Sequence, residues 1–342
     1  MKILVIKPSS LGDIVHTLPA VHLLKKSFPE SEISWVVNES YAELVERSPD
    51  VDEVIIFRRK QWSHPRHWDE VGEFIRKLRD ENFDVALDFQ GLLRSGIIAR
   101  FSGTRRRIGF QNARECAGWF YNEKVLIPAN ISHAVMKNVF LVRSAFHLTS
   151  PVEMPELISY DNDKKMVGAL LRAYDLQTGS PLIAIAPTSR WPSKTWPVNF
   201  FVNVINKLYE HRPDADVVIL GTDSEKDIGN LISKGAEGRP RNLMGELNFG
   251  MLIEFLQCCQ SLLVCDSGPM HLAAALGTPV VALFGATSPE MTGPFFNSVG
   301  HVVLTGQCEQ APCFNKECPR GEPVCMKKIS TEETVKALLK NV

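Results

Sequence analysis

The segment 264–285 constrains the fold of this chain more than any other. It reads Val-Cys-Asp-Ser-Gly-Pro-Met-His-Leu-Ala-Ala-Ala-Leu-Gly-Thr-Pro-Val-Val-Ala-Leu-Phe-Gly, the pattern of a strand, a tight turn, a helix, a glycine stop and a second strand. Pro269 suits the first turn of a helix, where its missing N–H would have no partner. Gly268 leaves the turn bare, and the helix start favours a phosphate. The segment therefore predicts a βαβ unit with a ligand site after its first strand, with an ordinary crossover as the alternative.

Composition indicates a soluble globular protein of two domains. The chain has 342 residues, of which 44% are hydrophobic and 23% charged, and its formal net charge is -1. That length suits two domains, and the charge balance creates no global field that selects nucleic acid. No apolar run reaches the roughly 20 residues that cross a bilayer, and residues 1–7 are too short and strand-like for a signal peptide. We therefore expect a cytoplasmic protein with reduced thiols.

Strand and helix patterns alternate along the chain in two series, separated by a weaker stretch. Between about 149 and 180, Pro151, Pro155 and a polar run interrupt the pattern, which favours a domain change there. Such alternation is typical of parallel sheets flanked by helices, so the sequence predicts two doubly wound α/β halves. Strands are expected at 2–6, 33–37, 53–57, 85–89, 107–110, 124–127, 182–186, 217–220 and 262–265, and helices at 10–27, 68–79, 92–101, 134–147, 198–211, 249–258 and 331–339. Pro19 either kinks or restarts the helix at 10–27.

Eight cysteines are present, and they fall into two groups of four. The group in apolar contexts, which is typical of small core residues, comprises Cys116, Cys258, Cys259 and Cys265. The group near the end of the chain comprises Cys308, Cys313, Cys318 and Cys325. Four thiols would suffice for zinc, but no CxxC pair occurs, and that pair is the stronger signal. Zinc and reduced thiols on an irregular segment both stay open.

The first strand ends in a polar turn that carries a candidate catalytic carboxylate. Residues 7–20 read Lys-Pro-Ser-Ser-Leu-Gly-Asp-Ile-Val-His-Thr-Leu-Pro-Ala, and Gly12 permits a tight turn into a helix. Asp13 then lies at a helix start, where it could act as a general base toward a hydroxyl or merely cap the helix. His16 favours packing over catalysis, and Lys7 could meet an anionic acceptor or remain solvated.

Two polar loops follow the first two strands of the second series. The loop at 187–197 contains hydroxyl groups and Lys194, which could hold a diphosphate; alternatively it is a surface loop anchored by Trp191 and Trp196. After the next strand, Glu225 could accept hydrogen bonds from a ribose or serve as a charge at a helix start. From the residues alone, both the ligand roles and these structural alternatives stay open.

Three segments resemble those of glycosyltransferase family 9, the ADP-heptose:lipopolysaccharide heptosyltransferases. They are 10–20, 88–95 (Asp-Phe-Gln-Gly-Leu-Leu-Arg-Ser) and 266–277, and the resemblance spans nearly the whole chain. The His-Thr-Leu-Pro-Ala stretch at 16–20 looks like the type that adds the first heptose to Kdo-lipid A. The glycine motifs GxGxxG and GxxxxGK[ST] are absent at the expected places, which argues against a nucleotide-dependent oxidoreductase.

The resemblance implies a GT-B fold, two Rossmann-like doubly wound parallel-sheet domains facing a central cleft. Residues 1–155 would bind the acceptor, 156–330 would bind the ADP-sugar, and the helix at 331–342 would pack back on the N-terminal domain. The resemblance also implies inverting transfer of heptose from ADP-L-glycero-D-manno-heptose to Kdo-lipid A. We expect no metal to be needed, because Lys194 and a helix dipole supply positive charge. A family-9 enzyme with a different sugar or glycan acceptor is the alternative, and a non-catalytic sugar-nucleotide sensor is a third reading.

The resemblance also assigns roles to individual residues. Asp13 falls on the proposed base, Lys194 on the lysine that meets the diphosphate, and Asp266 on the acid that holds sugar hydroxyls. Donor contacts are expected from Thr188, Ser189, Lys194, Glu225, Met244, Asp266, Ser267, Gly268, Pro269, Met270 and His271. Acceptor contacts are expected from Lys7, Ser10, Gly12, Arg58, Arg59, Lys60, Gln90 and Arg94. The family often has Thr-Gly-Leu after the acid; Ser-Gly-Pro here keeps a hydroxyl for phosphate, whereas sugar specificity could differ.

Basic residues crowd the N-terminal half of the sequence. They are Arg58, Arg59, Lys60, Arg66, Arg94, Arg105, Arg106 and Arg107. Such clusters suit anionic headgroups and a negative membrane leaflet, although a solvated face is the alternative. We therefore expect a peripheral protein on the cytoplasmic face of the inner membrane, with ADP-heptose and the lipopolysaccharide inner core as partners and no nucleic acid.

Overall fold

The chain divides into two α/β units, Met1–Ile158 and Ser159–Val342. The computed structural model describes residues 1–176, 179–238, 240–295 and 300–342. Each unit is built on a six-stranded sheet in which all strands are parallel, as the alternating pattern predicts. The boundary after Ile158 lies close to the expected position at 155. In the described part of the chain, no helix combines the length and apolar character that a bilayer crossing requires.

The sheet of the first unit has the strand order β3-β2-β1-β4-β5-β6. Its strands are β1 (Lys2–Ile6), β2 (Glu32–Asn38), β3 (Glu53–Phe57), β4 (Val85–Asp88), β5 (Arg106–Phe110) and β6 (Glu123–Val125). Its helices are α1 (Leu11–Val15), α2 (Leu18–Ser27), α3 (Ala42–Glu46), α4 (Trp68–Asp80), α5 (Leu93–Phe101) and α6 (Ala134–Phe146). Of the two alternatives for residues 10–27, a kink or a restart at Pro19, the structure shows the restart, because Pro19 lies in the first turn of the separate helix α2.

The helices of the first unit form packed pairs. α2 packs against α6, α4 packs against α5, and α5 also packs against a short 3₁₀ turn at Ala117–Phe120. The central strand β1 is buried from Ile3 to Ile6, which is typical of parallel sheets covered on both faces. A core of Leu4, Ile6, Phe74, Leu78 and neighbouring residues joins α4 and α5 to the sheet.

The sheet of the second unit has the strand order β12-β11-β10-β7-β8-β9. Its strands are β7 (Leu182–Ala186), β8 (Asp216–Ile219), β9 (Arg241–Asn242), β10 (Ser261–Cys265), β11 (Val280–Phe284) and β12 (Val302–Thr305). Its helices are α7 (Asp161–Ala173), α8 (Val198–His211), α9 (Lys226–Gly235), α10 (Phe249–Cys258), α11 (Gly268–Ala275), α12 (Pro289–Thr292), α13 (Val324–Lys327) and α14 (Thr331–Leu339).

The last helix, α14, is part of the second unit. It packs against α8 and against β11 and β12, and its Val335, Ala337 and Leu338 belong to the core of that unit. This differs from the expectation that the helix packs on the N-terminal domain. The apolar face of α14 is satisfied by its contact with α8, and this burial explains its placement.

In both sheets, the order in which strands are added reverses beside the first strand. The chain runs from β1 through β2 to β3 and returns to β4 on the other side of β1; it likewise runs from β7 through β8 to β9 and returns to β10. Open α/β sheets bind ligands outside the carboxyl ends of their strands at such a reversal. The turns after β1 and β4, and those after β7 and β10, are therefore the candidate sites.

Candidate functional site

The turn after β1 fixes Asp13 by two hydrogen bonds from Ser10. Asp13 is the third residue of α1, and its Oδ2 accepts from the Ser10 backbone N–H at 2.9 Å and from the Ser10 hydroxyl at 2.7 Å. The buried Lys7 donates to the Phe89 carbonyl at 3.1 Å, and its Nζ lies 3.9 Å from Asp13 Oδ1. Asp13 therefore caps the helix, which was one of the two roles that the sequence predicted for it. At the same time, 47% of its side chain is exposed.

The electrostatic surroundings of Asp13 keep its carboxyl ionised. Partial burial works to raise its pKa, but the charge of Lys7 and the two Ser10 hydrogen bonds outweigh this, with a smaller contribution from His16. The pKa falls from the ordinary 3.8 to about 2. A carboxylate with so low a pKa is always ready to accept a proton near neutral pH but holds it weakly.

The turn after β4 is built on a buried carboxylate, Asp88. Its Oδ1 accepts from the backbone N–H groups of Gln90 at 2.8 Å and Gly91 at 3.1 Å, and its Oδ2 accepts from the Tyr121 hydroxyl at 2.5 Å. Burial raises the pKa of Asp88, although these hydrogen bonds offset part of the effect. Asp88 therefore shapes the turn that carries Gln90, whose Oε1 accepts from the Ser9 N–H at 3.4 Å.

Gly109 explains how Tyr121 reaches Asp88. A Cβ at position 109 would lie 2.3 Å from the Tyr121 ring, so only glycine leaves room for the ring beside β5. The pairing of Tyr121 with Asp88 has no local sequence signal, because the two residues are 33 positions apart. Sequence reasoning missed this network, and it holds together the two turns at the strand-order reversal of the first sheet.

The predicted acceptor residues occupy different environments in the first unit. Lys7 and Gly12 are buried, and Ser10 and Gln90 are half-buried in the two turns. Arg58, Arg59 and Lys60 follow β3 on the surface, and Arg94 is exposed in the first turn of α5. Lys7 is committed to Phe89 and Asp13 rather than solvated. The acceptor contacts of all eight residues stay predictions.

The turn after β10 confirms the strand, turn and helix expected at 264–285. Asp266 follows β10, Ser267 is the N-cap of α11, and Gly277 ends the helix with a φ of +79°. The buried Asp266 carboxylate accepts at Oδ2 from the Thr287 hydroxyl at 2.5 Å. Its backbone carbonyl accepts from the Ser189 hydroxyl at 3.0 Å. Asp266 therefore joins the turns that follow β7, β10 and β11.

Lys194 is directly paired with Asp266. Its Nζ lies 2.7 Å from Asp266 Oδ2 and 4.5 Å from the centre of the Trp191 ring, in cation–π geometry. Sequence reasoning gave the two residues separate roles, the lysine with phosphate and the acid with sugar hydroxyls. The structure makes them one ion pair, so the position of the cation depends on the carboxylate. Thr287, which also binds this carboxylate, was not predicted.

The start of α11 offers polar groups of the backbone and of Ser267. The Ser267 hydroxyl oxygen is buried, and no hydrogen-bond partner for it occurs within the described ranges. Gly268 and Pro269 are half-buried, whereas the side chain of Met270 is fully buried in the protein and that of His271 nearly so. Any contact with a ligand at this turn would therefore come mainly from residues 267–269.

The turns after β7 and β8 lie side by side. Thr188 donates to Glu225, whose carboxylate also accepts from the backbone N–H and the hydroxyl of Thr222 at 2.8 and 2.6 Å. Burial raises the pKa of Glu225, but these hydrogen bonds outweigh it, and the pKa lies below its ordinary value. Glu225 thus forms a capping box with Thr222 at a helix start, which was one of the two roles predicted for it.

Met244 lies next to Gly221 but is fully buried. A Cβ at position 221 would lie 2.9 Å from Met244 Cε, so the absence of a side chain at Gly221 lets the methionine pack directly against it. The Met244 side chain belongs to the core of the second unit. Its predicted contact with a nucleotide base stays a prediction, and the accessible surface at this point belongs to Gly221.

The four C-terminal cysteines line one small cavity with Ser193, Arg320 and neighbouring residues. Burial and the nearby thiols raise the pKa of Cys325. Across the described ranges, no three His, Cys, Asp or Glu side chains are grouped to hold a metal ion; zinc at these four cysteines stays a prediction. The cysteine-containing segment also contacts the turn that carries Lys194. The Ser193 hydroxyl, next to Lys194, donates to the Asn315 carbonyl at 2.5 Å. Sequence reasoning missed this support of the lysine turn.

Comparison with known proteins gives a consistent result. A family model described as glycosyltransferase family 9 (heptosyltransferase) matches residues 71–323. Lipopolysaccharide heptosyltransferase 1 of Pseudomonas aeruginosa is 27% identical over 361 residues, covering 99% of this chain and 97% of the relative. Lipopolysaccharide heptosyltransferase 2 of Salmonella typhimurium is 28% identical over 323 residues, covering 90% of this chain and 89% of the relative.

Solved structures share the fold of the whole chain. The E. coli ADP-heptose lps heptosyltransferase II has a TM-score of 0.81 at 24% identity and covers 99% of this chain and 98% of its own. The E. coli heptosyltransferase WaaC, solved with ADP, has a TM-score of 0.77 at 23% identity and full coverage of both chains. The fold of these heptosyltransferases is thus the fold of this protein, and the family model covers most of its length. The chain belongs to glycosyltransferase family 9, the family of the heptosyltransferases.

Proposed function

We propose that this protein transfers a heptose from ADP-L-glycero-D-manno-heptose to a Kdo-lipid A acceptor of the lipopolysaccharide core, with inversion at the anomeric carbon. The relatives named above are lipopolysaccharide heptosyltransferases of both types 1 and 2, which supports the donor and the general class of acceptor. The His-Thr-Leu-Pro-Ala stretch favours the first heptose addition.

The observation that carries the proposal is the Lys194–Asp266 pair beside the N-cap of α11. A cation, a buried carboxylate and a hydroxyl at Ser267 stand together at the strand-order reversal of the second sheet. A diphosphate can accept from Lys194 and Ser267, and sugar hydroxyls can donate to Asp266. One of the similar structures was solved with ADP and another with ADP-2-deoxy-2-fluoro heptose, which supports an ADP-sugar as the ligand.

Asp13 acts as the general base in this proposal. The acceptor hydroxyl oxygen forms a bond to the anomeric carbon and passes its proton to the Asp13 carboxylate. Both Ser10 hydrogen bonds go to Oδ2, so Oδ1 is the oxygen that we assign to the proton. The low pKa of Asp13 keeps it ionised before the reaction, and the hydroxyl becomes more acidic as its bond to carbon forms.

The leaving ADP takes the electron pair of the bond that breaks between the anomeric carbon and the β-phosphate oxygen. Negative charge grows on that oxygen, where Lys194 and the positive end of α11 stabilise it. The phosphate competes with Asp266 for Lys194, which frees the carboxylate to accept from the sugar. This chain's own cation and helix supply the positive charge, so we expect unchanged turnover in a chelator.

A direct transfer assay tests the proposal. Purified protein is incubated with ADP-heptose and Kdo-lipid A, and the product is read by mass spectrometry. We expect Asp13→Asn to keep its ADP affinity in calorimetry and to lose turnover about a hundredfold or more. Lys194→Met should weaken ADP binding and slow transfer, by about a hundredfold to a thousandfold in rate.

Matched controls separate these effects from general loss of charge. Asp80→Asn changes an exposed acid at the end of α4, and Lys164→Met removes an exposed charge from α7; both should leave transfer unchanged. Near wild-type turnover of Asp13→Asn would remove Asp13 from the role of base. Transfer from another sugar nucleotide, or to another glycan but not to Kdo-lipid A, would favour the alternative family-9 activity.

A further inference from the structure

The most exposed aromatic side chains of the first unit lie on one layer of helices. Trp119 is 83% exposed and Trp68 is 66% exposed, and Phe101 and Leu93 are 43% and 40% exposed. Single exposed apolar side chains are ordinary, whereas a contiguous exposed apolar patch marks an interaction site. The exposure of these rings therefore indicates a contact that the chain alone does not make.

Contacts between the elements place these residues side by side. Trp68 begins α4, Leu93 and Phe101 begin and end α5, and Trp119 lies in the 3₁₀ turn at 117–120. α4 packs on α5, where Arg79 donates to the Phe101 carbonyl at 3.0 Å. A Cβ at Gly96 of α5 would lie 2.9 Å from Phe120, so the turn also packs on α5. We name this layer, residues 68–80, 93–101 and 117–120, the aromatic face.

The apolar residues of the aromatic face follow helical spacing. Leu93, Ile97 and Phe101 recur every four residues along α5, so they share one side of the helix. On α4 an open groove is lined by Trp62, Trp68, Val71, Gly72, Ile75 and Arg79. The buried side of α4 is different, with Phe74 and Leu78 in the core. Each helix therefore carries a second row of apolar residues that are exposed or half-buried, although Ile75 of α4 also packs against the core.

The aromatic face itself holds five Lys and Arg against four Asp and Glu, and the wider segment around it is more basic. Residues 58–119 hold thirteen Lys and Arg against eight Asp and Glu, whereas the whole chain has a net charge of -1. Arg76, Arg94 and Arg100 are exposed on α4 and α5, and within the described ranges none of them forms an ion pair. The acids Asp69, Glu73 and Glu115 are also exposed here, so the excess is positive but mixed.

We propose that the aromatic face docks on the surface of an anionic phospholipid bilayer. Tryptophan rings settle at the level of lipid headgroups, and each nearby basic residue adds attraction to a negative surface. Two helices with short apolar sides and flanking arginines fit shallow contact with a bilayer. This inference deepens the proposed function, whose acceptor is a lipid-linked glycan, and concerns the bilayer itself rather than that acceptor.

Vesicle co-sedimentation without any glycolipid tests the docking face. The full chain is mixed with vesicles of phosphatidylcholine and phosphatidylglycerol in a 3:1 ratio and, separately, of phosphatidylcholine alone. We expect binding to the anionic vesicles that falls as salt is added. Trp68→Ser with Trp119→Ser, and separately Arg76→Gln with Arg100→Gln, should each weaken that binding by about tenfold.

Matched controls change equally exposed residues of the second unit. Leu231→Ser removes a side chain that is 60% exposed in α9, and Lys164→Gln with Lys165→Gln removes two exposed charges from α7; both should bind vesicles like the wild type. Heptose transfer to a soluble, deacylated acceptor should be unchanged in all variants, which also shows that they fold.

The outcomes distinguish the docking face from the proposed function. If the tryptophan and arginine variants lose vesicle binding but still transfer heptose to the soluble acceptor, the result supports docking through the aromatic face. If the wild-type protein does not bind anionic vesicles but transfers heptose, the proposed docking of the aromatic face is wrong and the proposed function is unaffected. Equal loss of binding in the Leu231→Ser control also overturns the proposed docking. If the wild-type protein binds anionic vesicles but does not transfer heptose from ADP-heptose, the result supports bilayer docking and contradicts the proposed function.

Discussion

At the scale of single residues, the turns after β1 and β4 of the first unit use their carboxylates in opposite ways. Asp13 is partly exposed, and Lys7 and Ser10 hold its pKa at about 2. Asp88 is fully buried, and burial raises its pKa. The first carboxylate is prepared to meet another molecule, whereas the second holds the backbone of its own turn through two hydrogen bonds and accepts a third from the Tyr121 hydroxyl. Burial and partners, not residue type, separate the two roles.

Ser10→Ala tests how the turn controls Asp13. The change removes the hydroxyl bond at 2.7 Å and keeps the backbone bond and the charge of Lys7, so the pKa of Asp13 should rise above about 2 without reaching 3.8. A depressed pKa stabilises the fold above the ordinary value of 3.8, and that contribution is lost as the pH falls through about 2. Ser10→Ala should therefore move the acid loss of stability toward higher pH.

The measurement is a titration of the Asp13 carboxyl carbon by NMR. Ser9→Ala serves as the control, because the contact of Ser9 in this turn is made by its backbone N–H with Gln90. A pKa of Asp13 that is the same in Ser10→Ala and wild type would show that Lys7 alone sets it. Since 47% of the Asp13 side chain is exposed, solvent weakens these interactions and the shift should be modest.

Residue-level roles could be predicted only where the signal is local. The Asp13 turn and the Asp266 turn each have a sequence pattern that places a polar group after a strand. The Lys194–Asp266 pair spans 72 positions and the Thr287 bond to Asp266 spans 21. Both depend on β10 lying between β7 and β11, and no spacing in the sequence reveals that order.

At the scale of elements, prediction succeeded where an apolar stripe was strong. The helices at 198–211, 249–258 and 331–339 have the predicted bounds. The helix α7 was missed because its first turn carries Asp161 and Asp163 and so looked like a polar linker, although acids favour a helix start. The short strands β9 and β12 were missed because they lie at the edges of the sheet and have little buried apolar surface.

Leu338→Ala tests the placement of α14 in the second unit. Leu338 is fully buried, in the core that α14 shares with α8, so its truncation should cost about 2–5 kcal/mol of the free energy of unfolding. Denaturant unfolding gives the loss, and hydrogen exchange shows where it acts. Amides of α8, β11 and β12 should lose protection, because these elements contact α14.

The control for this element is Lys336→Ala, an exposed position of the same helix, which should change stability by less than about 0.5 kcal/mol. Loss of protection in α2 and α6 of the first unit, with α8 unaffected, would instead return α14 to the N-terminal domain. The change therefore decides between the observed packing and the expectation drawn from the resemblance.

At the scale of the whole molecule, the two units repeat one architecture and divide the predicted roles. Each has polar residues in the turns at the reversal of its strand order, where open parallel sheets bind ligands. The predicted donor residues all lie in Ser159–Val342, and Asp13 and the predicted acceptor residues all lie in Met1–Ile158. The doubly wound pattern could be predicted from alternation alone, whereas this division of roles came from the family resemblance.

That division predicts where ADP protects the chain. A ligand that binds only the native second unit stabilises it by mass action, by about 2.7 kcal/mol at a concentration one hundred times the Kd. Hydrogen exchange with and without ADP should show slower exchange in the turns at 187–194, 221–225 and 266–271. The Lys194→Met variant provides the control, because its weaker binding should reduce this protection at equal ADP concentration. Equal protection of residues 9–17 in the first unit would contradict a donor site built from the second unit alone, because the Ser10–Asp13 turn would then contact the nucleotide.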